Sequence, residues 1–134
     1  MAKKTIKEIG QNNITEDIVY TEDTLASAIT KIMRKLQKKP SFFFMVVLDS
    51  DEKIKGIIGN KELMEILQDA KEANTDKIKL KGYYKTHIIM DEDEDAVKGL
   101  EALKDKKNKG VILIKNKNNN YVGKLLLSSI LNQS

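Results

Sequence analysis

The chain has no cysteine, a single histidine and a single arginine among its 134 residues, and only 5% of its positions are aromatic. Without cysteine it forms neither disulfides nor a thiolate metal site. That suits a reducing compartment, so the cytoplasm is the expected location. The one histidine, His87, has no thiolate companions and does not complete a usual zinc site, so no metal is expected. No apolar run approaches the roughly 18 residues needed to cross a bilayer. Met1-Ala2-Lys3-Lys4-Thr5 leads straight into charged sequence with no hydrophobic signal region. There is no nucleophile-base pair, no phosphate-cradling glycine loop and no pair of histidines, so the sequence does not read as an enzyme.

With 40% apolar residues the chain is long enough for one domain with a modest core. The net charge of +4 comes almost wholly from lysine, Arg34 being the sole arginine, and acidic residues are interleaved with the lysines. Nucleic-acid surfaces cluster their positive charge on one face, often with aromatics for stacking. Dispersed lysines serve solubility, so a nucleic-acid partner is disfavoured.

What the chain does have is a pattern that runs twice. Ile6-Lys7-Glu8-Ile9-Gly10 is echoed by Ile78-Lys79-Leu80-Lys81-Gly82, and the helix positions Leu25, Ala28, Ile29 and Ile32 return as Ala96, Gly99, Leu100 and Leu103. Gly56 in Ile54-Lys55-Gly56-Ile57-Ile58 returns as Gly123 in Tyr121-Val122-Gly123-Lys124-Leu125. Such a repeat is one supersecondary unit used twice.

Periodicity assigns the elements. Ile18-Val19-Tyr20 reads as a short strand, followed by the cap candidates Thr21, Asp23 and Thr24. Leu25, Ala28, Ile29, Ile32, Met33 and Leu36 make the apolar stripe of an amphipathic helix, which Pro40 ends. Residues 42–48, led by Phe42-Phe43-Phe44, read as a strand buried on both faces. The turn Asp49-Ser50-Asp51-Glu52-Lys53 and residues 54–58 complete a hairpin. Asn60 is positioned to cap a helix whose stripe is Leu63, Ile66, Leu67 and Ala70. The second copy repeats the order, with His87-Ile88-Ile89-Met90 as its short strand, a helix over 95–106, a strand over 110–114, the turn 116–120, a strand over 121–125 and a last short helix marked by Leu127, Ile130 and Leu131. Residues 73–77 form the connector. The expected fold class is α/β in the α+β sense, each copy running strand-helix-strand-strand-helix, with the sheets packed together and the helices outside.

At this point the chain resembles a pair of CBS motifs, the arrangement called a Bateman module. The likeness spans residues 5–132, with motif 1 over about 5–72 and motif 2 over about 77–133. It rests on the capped helix start Asp23-Thr24-Leu25-Ala26-Ser27-Ala28 and on the strand, acidic turn, strand and glycine of residues 46–58, occurring twice in the same order. The resemblance implies a regulatory module. Such pairs bind adenosine-containing ligands (AMP, ADP, ATP or S-adenosylmethionine), dimerise through their helices, and regulate an enzyme or transporter. It implies here a homodimer and, from the methionine start with no further domain, a stand-alone protein. The rival readings are a ligand-free scaffold module and, resting on charge alone, a nucleic-acid binder.

The family signature after the hairpin is a glycine, two apolar residues, a hydroxyl residue, two variable residues and an aspartate. Its logic is that a hydroxyl and helix N-terminal amides hold phosphate while a carboxylate accepts from ribose hydroxyls. Here the first copy reads Gly56-Ile57-Ile58-Gly59-Asn60-Lys61-Glu62, with Gly59 replacing the hydroxyl and Glu62 the aspartate. The resemblance implies a ligand site at Gly59, Asn60, Lys61 and Glu62, with His87 as a further contact. The competing structural role is a cap at Asn60 and a first-turn acid at Glu62. The second copy, Gly123-Lys124-Leu125-Leu126-Leu127-Ser128-Ser129, has Leu126 and Ser129 at the diagnostic positions and has lost both groups. Tyr83 and Tyr84 read as connector packing over the sheet. Asp91-Glu92-Asp93-Glu94-Asp95 resembles the opening of a calcium loop but has Ala96 where that loop needs glycine, so it reads as a helix N-terminus.

Overall fold

The computed structural model describes residues 4–12, 18–38, 44–72 and 77–131. The elements in chain order are α1 (Ile6–Ile9), β1 (Gln11–Asn12), β2 (Ile18–Tyr20), α2 (Leu25–Lys38), β3 (Met45–Leu48), β4 (Ile54–Ile58), α3 (Asn60–Glu72), β5 (Ile89–Asp91), α4 (Ala96–Lys104), β6 (Val111–Lys115), β7 (Tyr121–Leu126) and α5 (Leu127–Leu131). Pro40, Phe42, Phe43, connector residues 73–76 and the side chain of Ser129 lie outside the described residues. The chain divides into two units, Thr15–Thr86, and Met1–Ile14 together with His87–Ser134.

In the Thr15–Thr86 unit, β2 runs parallel to β3 and β3 antiparallel to β4. Thr24 caps α2, its hydroxyl accepting the Ser27 N–H at 3.1 Å. The stripe Leu25, Ala28 and Ile32 packs on Val19, Met45, Val47 and Ile58, and Ile66 of α3 joins the same core. Full burial of each such Leu or Ile is worth about 1.5–3 kcal/mol. The β3–β4 turn is held by Asp49, whose Oδ1 accepts the N–H groups of Asp51 (2.9 Å) and Lys53 (3.0 Å). The Lys53 N–H, then that of Asp51 and the charges of Lys55 and Lys53, hold the Asp49 carboxyl below its usual range against some loss of solvation.

The other unit repeats this plan closely. Its sheet has the order β1-β7-β6-β5, with β5 parallel to β6 and β6 antiparallel to β7. Asn116 does what Asp49 does, its Oδ1 accepting from Asn118 (2.9 Å) and Asn120 (3.0 Å). Glu52 and Asn119 take the same left-handed backbone, at φ 67 and 64. Both hairpins shift register at matching points, after Val47 and after Ile114, which face Gly56 and Gly123 respectively. Ala96, Gly99 and Leu103 are buried as their counterparts on α2 are. The core here is Ile6, Leu103, Ile112, Ile114 and Leu125.

The leading segments do not pack with the copy that follows them in sequence. Residues 4–12 dock in the unit of the second copy, where Ile6 and Lys7 donate to the carbonyls of Glu94 (2.8 Å) and Glu92 (3.0 Å), and Ala96 donates to Lys4 (2.8 Å). Residues 78–85 dock in the unit of the first copy, where Leu25 donates to the Ile78 carbonyl (2.8 Å) and Leu80 to that of Asp23 (2.7 Å). The isolated bridges Thr5–Asp95 and Thr24–Lys79 match as well. Each strap then runs to the outer edge of its hairpin, where Gln11 pairs with Lys124 and Lys85 with Ile57.

These contacts correct the sequence alignment of the straps by two residues. The structural counterpart of Ile6 is Leu80, both with 0% exposure, and not Ile78. The two straps also differ in form, since Ile6–Ile9 is a helical turn while residues 80–83 are bends and turns. The short strand expected at His87–Met90 lies at Ile89–Asp91 instead, although the Ile88 carbonyl already accepts the Leu113 N–H of β6 at 3.2 Å.

Candidate functional site

The β4 strand runs directly into α3 through Gly59. The carbonyl of Gly59 accepts the Leu63 N–H at 2.9 Å, so Gly59 is the N-cap, a place expected for Asn60. Asn60 instead begins the helix and is exposed, as is Lys61 beside it. Glu62 reaches back, its Oε1 accepting the Gly59 N–H at 2.8 Å. This is the return half of a capping box whose hydroxyl half is missing. Glu62 is 7% exposed. Among the described residues the Gly59 N–H is its one hydrogen-bond partner, which leaves Oε2 uncommitted.

The glycines of this stretch have separate reasons. A Cβ at Gly56 would lie 2.1 Å from the Lys85 carbonyl oxygen. Lys85 is bonded both ways to Ile57, at 2.8 and 3.0 Å. A Cβ at Gly59 would meet only Glu62 Oε1, at 3.2 Å. Gly56 is thus fixed by the strap, whereas Gly59 faces only the end of a side chain, and at α1 Glu8 makes the same return bond to the Thr5 N–H (3.2 Å) with a side chain at the cap. Tyr83 and Tyr84 pack against the core of this unit, as connector residues were expected to. The Tyr83 hydroxyl donates to Asp69 Oδ2 on α3 at 2.6 Å. That bond, then loss of solvation and the charges of Asp69 and Glu65, push the Tyr83 phenol upward.

His87 belongs to the other unit and is half-buried. Its Nε2 lies 2.7 Å from the Val111 carbonyl. A carbonyl only accepts, so Nε2 carries the proton. The ring anchors the chain to the start of β6. At the second copy's counterpart of the Gly59 turn, β7 passes into α5 without a break. Leu126 is buried, and the Leu127 N–H donates to the Gly110 carbonyl at 2.9 Å.

The acidic run before α4 serves the helix and the strap. Asp95 caps α4 by accepting the Val97 N–H at 3.0 Å, and Glu94 pairs with Lys98 at 3.1 Å. A hollow of about 330 Å³ there is lined by Asp91, Glu92, Asp93, Glu94, Asn116 and Lys117. Among the described residues no group of three or more His, Cys, Asp or Glu is arranged to hold a metal ion.

Sequence reasoning missed two buried lysines. Lys35, 6% exposed, donates to the Phe44 carbonyl at 2.6 Å and lies 4.8 Å from the centre of the Phe44 ring. Its spacing from Ile32 on the helix stripe was the available signal. Lys124 is 5% exposed in β7, paired with Gln11 and Leu113; its place beside Gly123 in a half-apolar strand was the only hint.

Comparison with solved structures decides the fold. A CBS domain-containing protein of unknown function from Bacillus anthracis str. Ames Ancestor superposes with a TM-score of 0.73 at 16% identity, over 96% of this chain and 91% of that one. A hemolysin-like protein containing a CBS domain from Oenococcus oeni PSU gives 0.67 at 14% identity, over 97% and 89%. This chain has the fold of a CBS-domain pair. The cytosolic domain of the Mg2+ channel MgtE in complex with ATP superposes with a TM-score of 0.65 at 14% identity, over 87% of this chain and 44% of that one. No protein-family model and no curated protein matches the sequence. Among the described residues no helix is long and apolar enough to cross a membrane.

Proposed function

We propose that this CBS pair is a regulatory module that binds an adenosine-containing ligand at the β4–α3 turn and signals to a partner by conformational change. The observation that carries the reading is Glu62, nearly buried, with Oε1 spent on its own helix and Oε2 uncommitted among the described residues. A carboxylate so placed accepts hydrogen bonds from ribose hydroxyls without giving up the cap. The MgtE cytosolic domain, which holds ATP, lends support through its similar fold. Asn60 and Lys61 flank the turn on exposed positions. Signalling follows if the ligand binds one arrangement of the pair better than another. The partner is a regulated enzyme or transporter, and the working form a cytoplasmic homodimer.

A thermal-shift panel with AMP, ADP, ATP and S-adenosylmethionine tests this on wild type and Glu62→Ala. Ligand that binds only the folded state raises the melting temperature. The expected result is a rise with at least one of them that Glu62→Ala abolishes, and no rise with any at millimolar concentration refutes the reading.

The exposed apolar side chains favour a second reading, a ligand-free assembly module. Met33 on α2 is 47% exposed, Met64 on α3 65% and Val97 on α4 58%. That reading predicts concentration-dependent association with no ligand effect.

A further inference from the structure

The chain passes from one unit to the other between Thr86 and His87, and it is held closely on both sides of that point. On the side of the first copy, Lys85 exchanges two backbone hydrogen bonds with Ile57 at the outer edge of β4, donating at 3.0 Å and accepting at 2.8 Å. Its carbonyl fills the space that a side chain on Gly56 would need, and Tyr84 packs on the core of the same unit. On the side of the second copy, His87 Nε2 donates to the Val111 carbonyl at 2.7 Å. The Ile88 carbonyl accepts the Leu113 N–H at 3.2 Å, and the Ile88 side chain packs on the other core. Between these two sets of anchors stands Thr86 alone, and it is exposed.

A single residue gives little slack. Peptide units are planar and stiff, so only the ψ of Lys85, the two dihedrals of Thr86 and the φ of His87 can turn between the anchored groups. Two residues of chain span at most about 7 Å. The other crossing is longer, with residues 13–17 separating Asn12 of β1 from Ile18 of β2. Each anchor rests on a few hydrogen bonds, the kind of local contact that opens at less cost than global unfolding. We infer that residues 85–88 are a latch that opens as one piece and couples the edge of β4 to the start of β6 through the chain, with His87 as its positioning residue. A ligand or partner that disturbs either anchor is thereby registered in the other unit. This coupling goes beyond the adenosyl reading and stands or falls without it.

Hydrogen exchange of the full chain, read amide by amide, tests the latch. His87→Ala removes the bond to Val111, which lies wholly in the unit of the second copy. Losing one hydrogen bond from a shared opening raises exchange about three- to tenfold. That rise is expected at the Lys85 and Ile57 amides as well as at Leu113, with the Asp49 amide, bonded to Lys53 in the β3–β4 turn, unchanged. Inserting two glycines between Thr86 and His87 supplies slack, and in that background His87→Ala is expected to leave Lys85 and Ile57 as they were. Gly56→Ala, which expels Lys85, is the reverse probe should His87→Ala melt early. It is expected to raise exchange at Leu113 more than at Asn116, which is bonded to Asn120 in the β6–β7 turn. A rise confined to Leu113 in His87→Ala, an equal rise at Asp49, transfer that survives the insertion, or equal rises at Leu113 and Asn116 in Gly56→Ala overturns the inference.

Discussion

The carbonyl oxygen of Lys85 occupies the space that a side chain on Gly56 would need, 2.1 Å from an ideal Cβ. Backbone stands on both sides of this contact, so neither side yields cheaply. Gly56→Ala is expected to cost about 2–3 kcal/mol, at the upper end of overpacking effects. Gly59→Ala, facing only the end of a flexible acid, is expected to cost less than half as much. Urea unfolding of the two variants, compared at equal m-value, checks the difference.

Ile6 and Leu80 carry equivalent loads although each sits far in sequence from the core it completes. Truncating a fully buried Ile or Leu costs about 2–5 kcal/mol. Ile6→Ala is expected to loosen the unit of α4, β6 and β7, and Leu80→Ala the unit of α2, β3 and β4. Hydrogen exchange resolved by segment distinguishes the two. Loss of protection in the same unit for both variants contradicts the strap assignment.

Much of the fold was legible in the sequence because its signals are local. The stripe from Leu25 to Ile32, the buried run ending at Leu48 and the turns at 49–53 and 116–120 each follow from spacing or turn chemistry within a few residues. Strap docking was not legible. Ile6 and Ile78 share the motif Ile-Lys, and nothing local shows that backbone bonds to Glu94 and Asp23 set the true register at Ile6 and Leu80. The candidate site was legible in part, since Glu62 stood out as an acid at a signature position. The cap at Gly59 was hidden because glycine offers no side chain to announce it, and Asn60 is the stronger capping residue by type.

Among the described residues three that are not glycine hold left-handed backbone at turns, Glu52, Lys109 and Asn119, and the repeat supplies the remedy for the first. Glu52 occupies the place that Asn119 fills in the second hairpin, and asparagine tolerates this region better. Glu52→Asn is expected to stabilise by several tenths of a kcal/mol, even after losing the 3.2 Å bond from Tyr20. Lys109→Gly, at φ 53, is expected to gain about 0.5–1 kcal/mol. Thermal melts showing either variant less stable than wild type contradict this.

Asp49 gives the first hairpin a dependence on acid that the second lacks. Its carboxyl is held below the usual carboxylate range in the folded state. Its contribution is therefore fully present above the unfolded value near 3.9 and is lost as pH falls through the lowered folded value. Asp49→Asn copies Asn116, keeping the accepting oxygen. The variant is expected to lose less stability than wild type between pH 6 and pH 2–3, and equal slopes in denaturation series contradict the assignment.

The crossing of the straps has a topological consequence. A protease cut within residues 73–76 divides the chain at the sequence repeat, yet each piece then owns part of the other's core. The N-terminal piece carries Ile6 for the second core, and the C-terminal piece carries Leu80 and Lys85 for the first. A nicked molecule is therefore expected to stay whole under native conditions and to separate on denaturation. Neither half of the repeat holds a complete core by itself, so a graft or split of this chain is best made at the boundaries of packing, near residues 15 and 86, rather than where the sequence begins again.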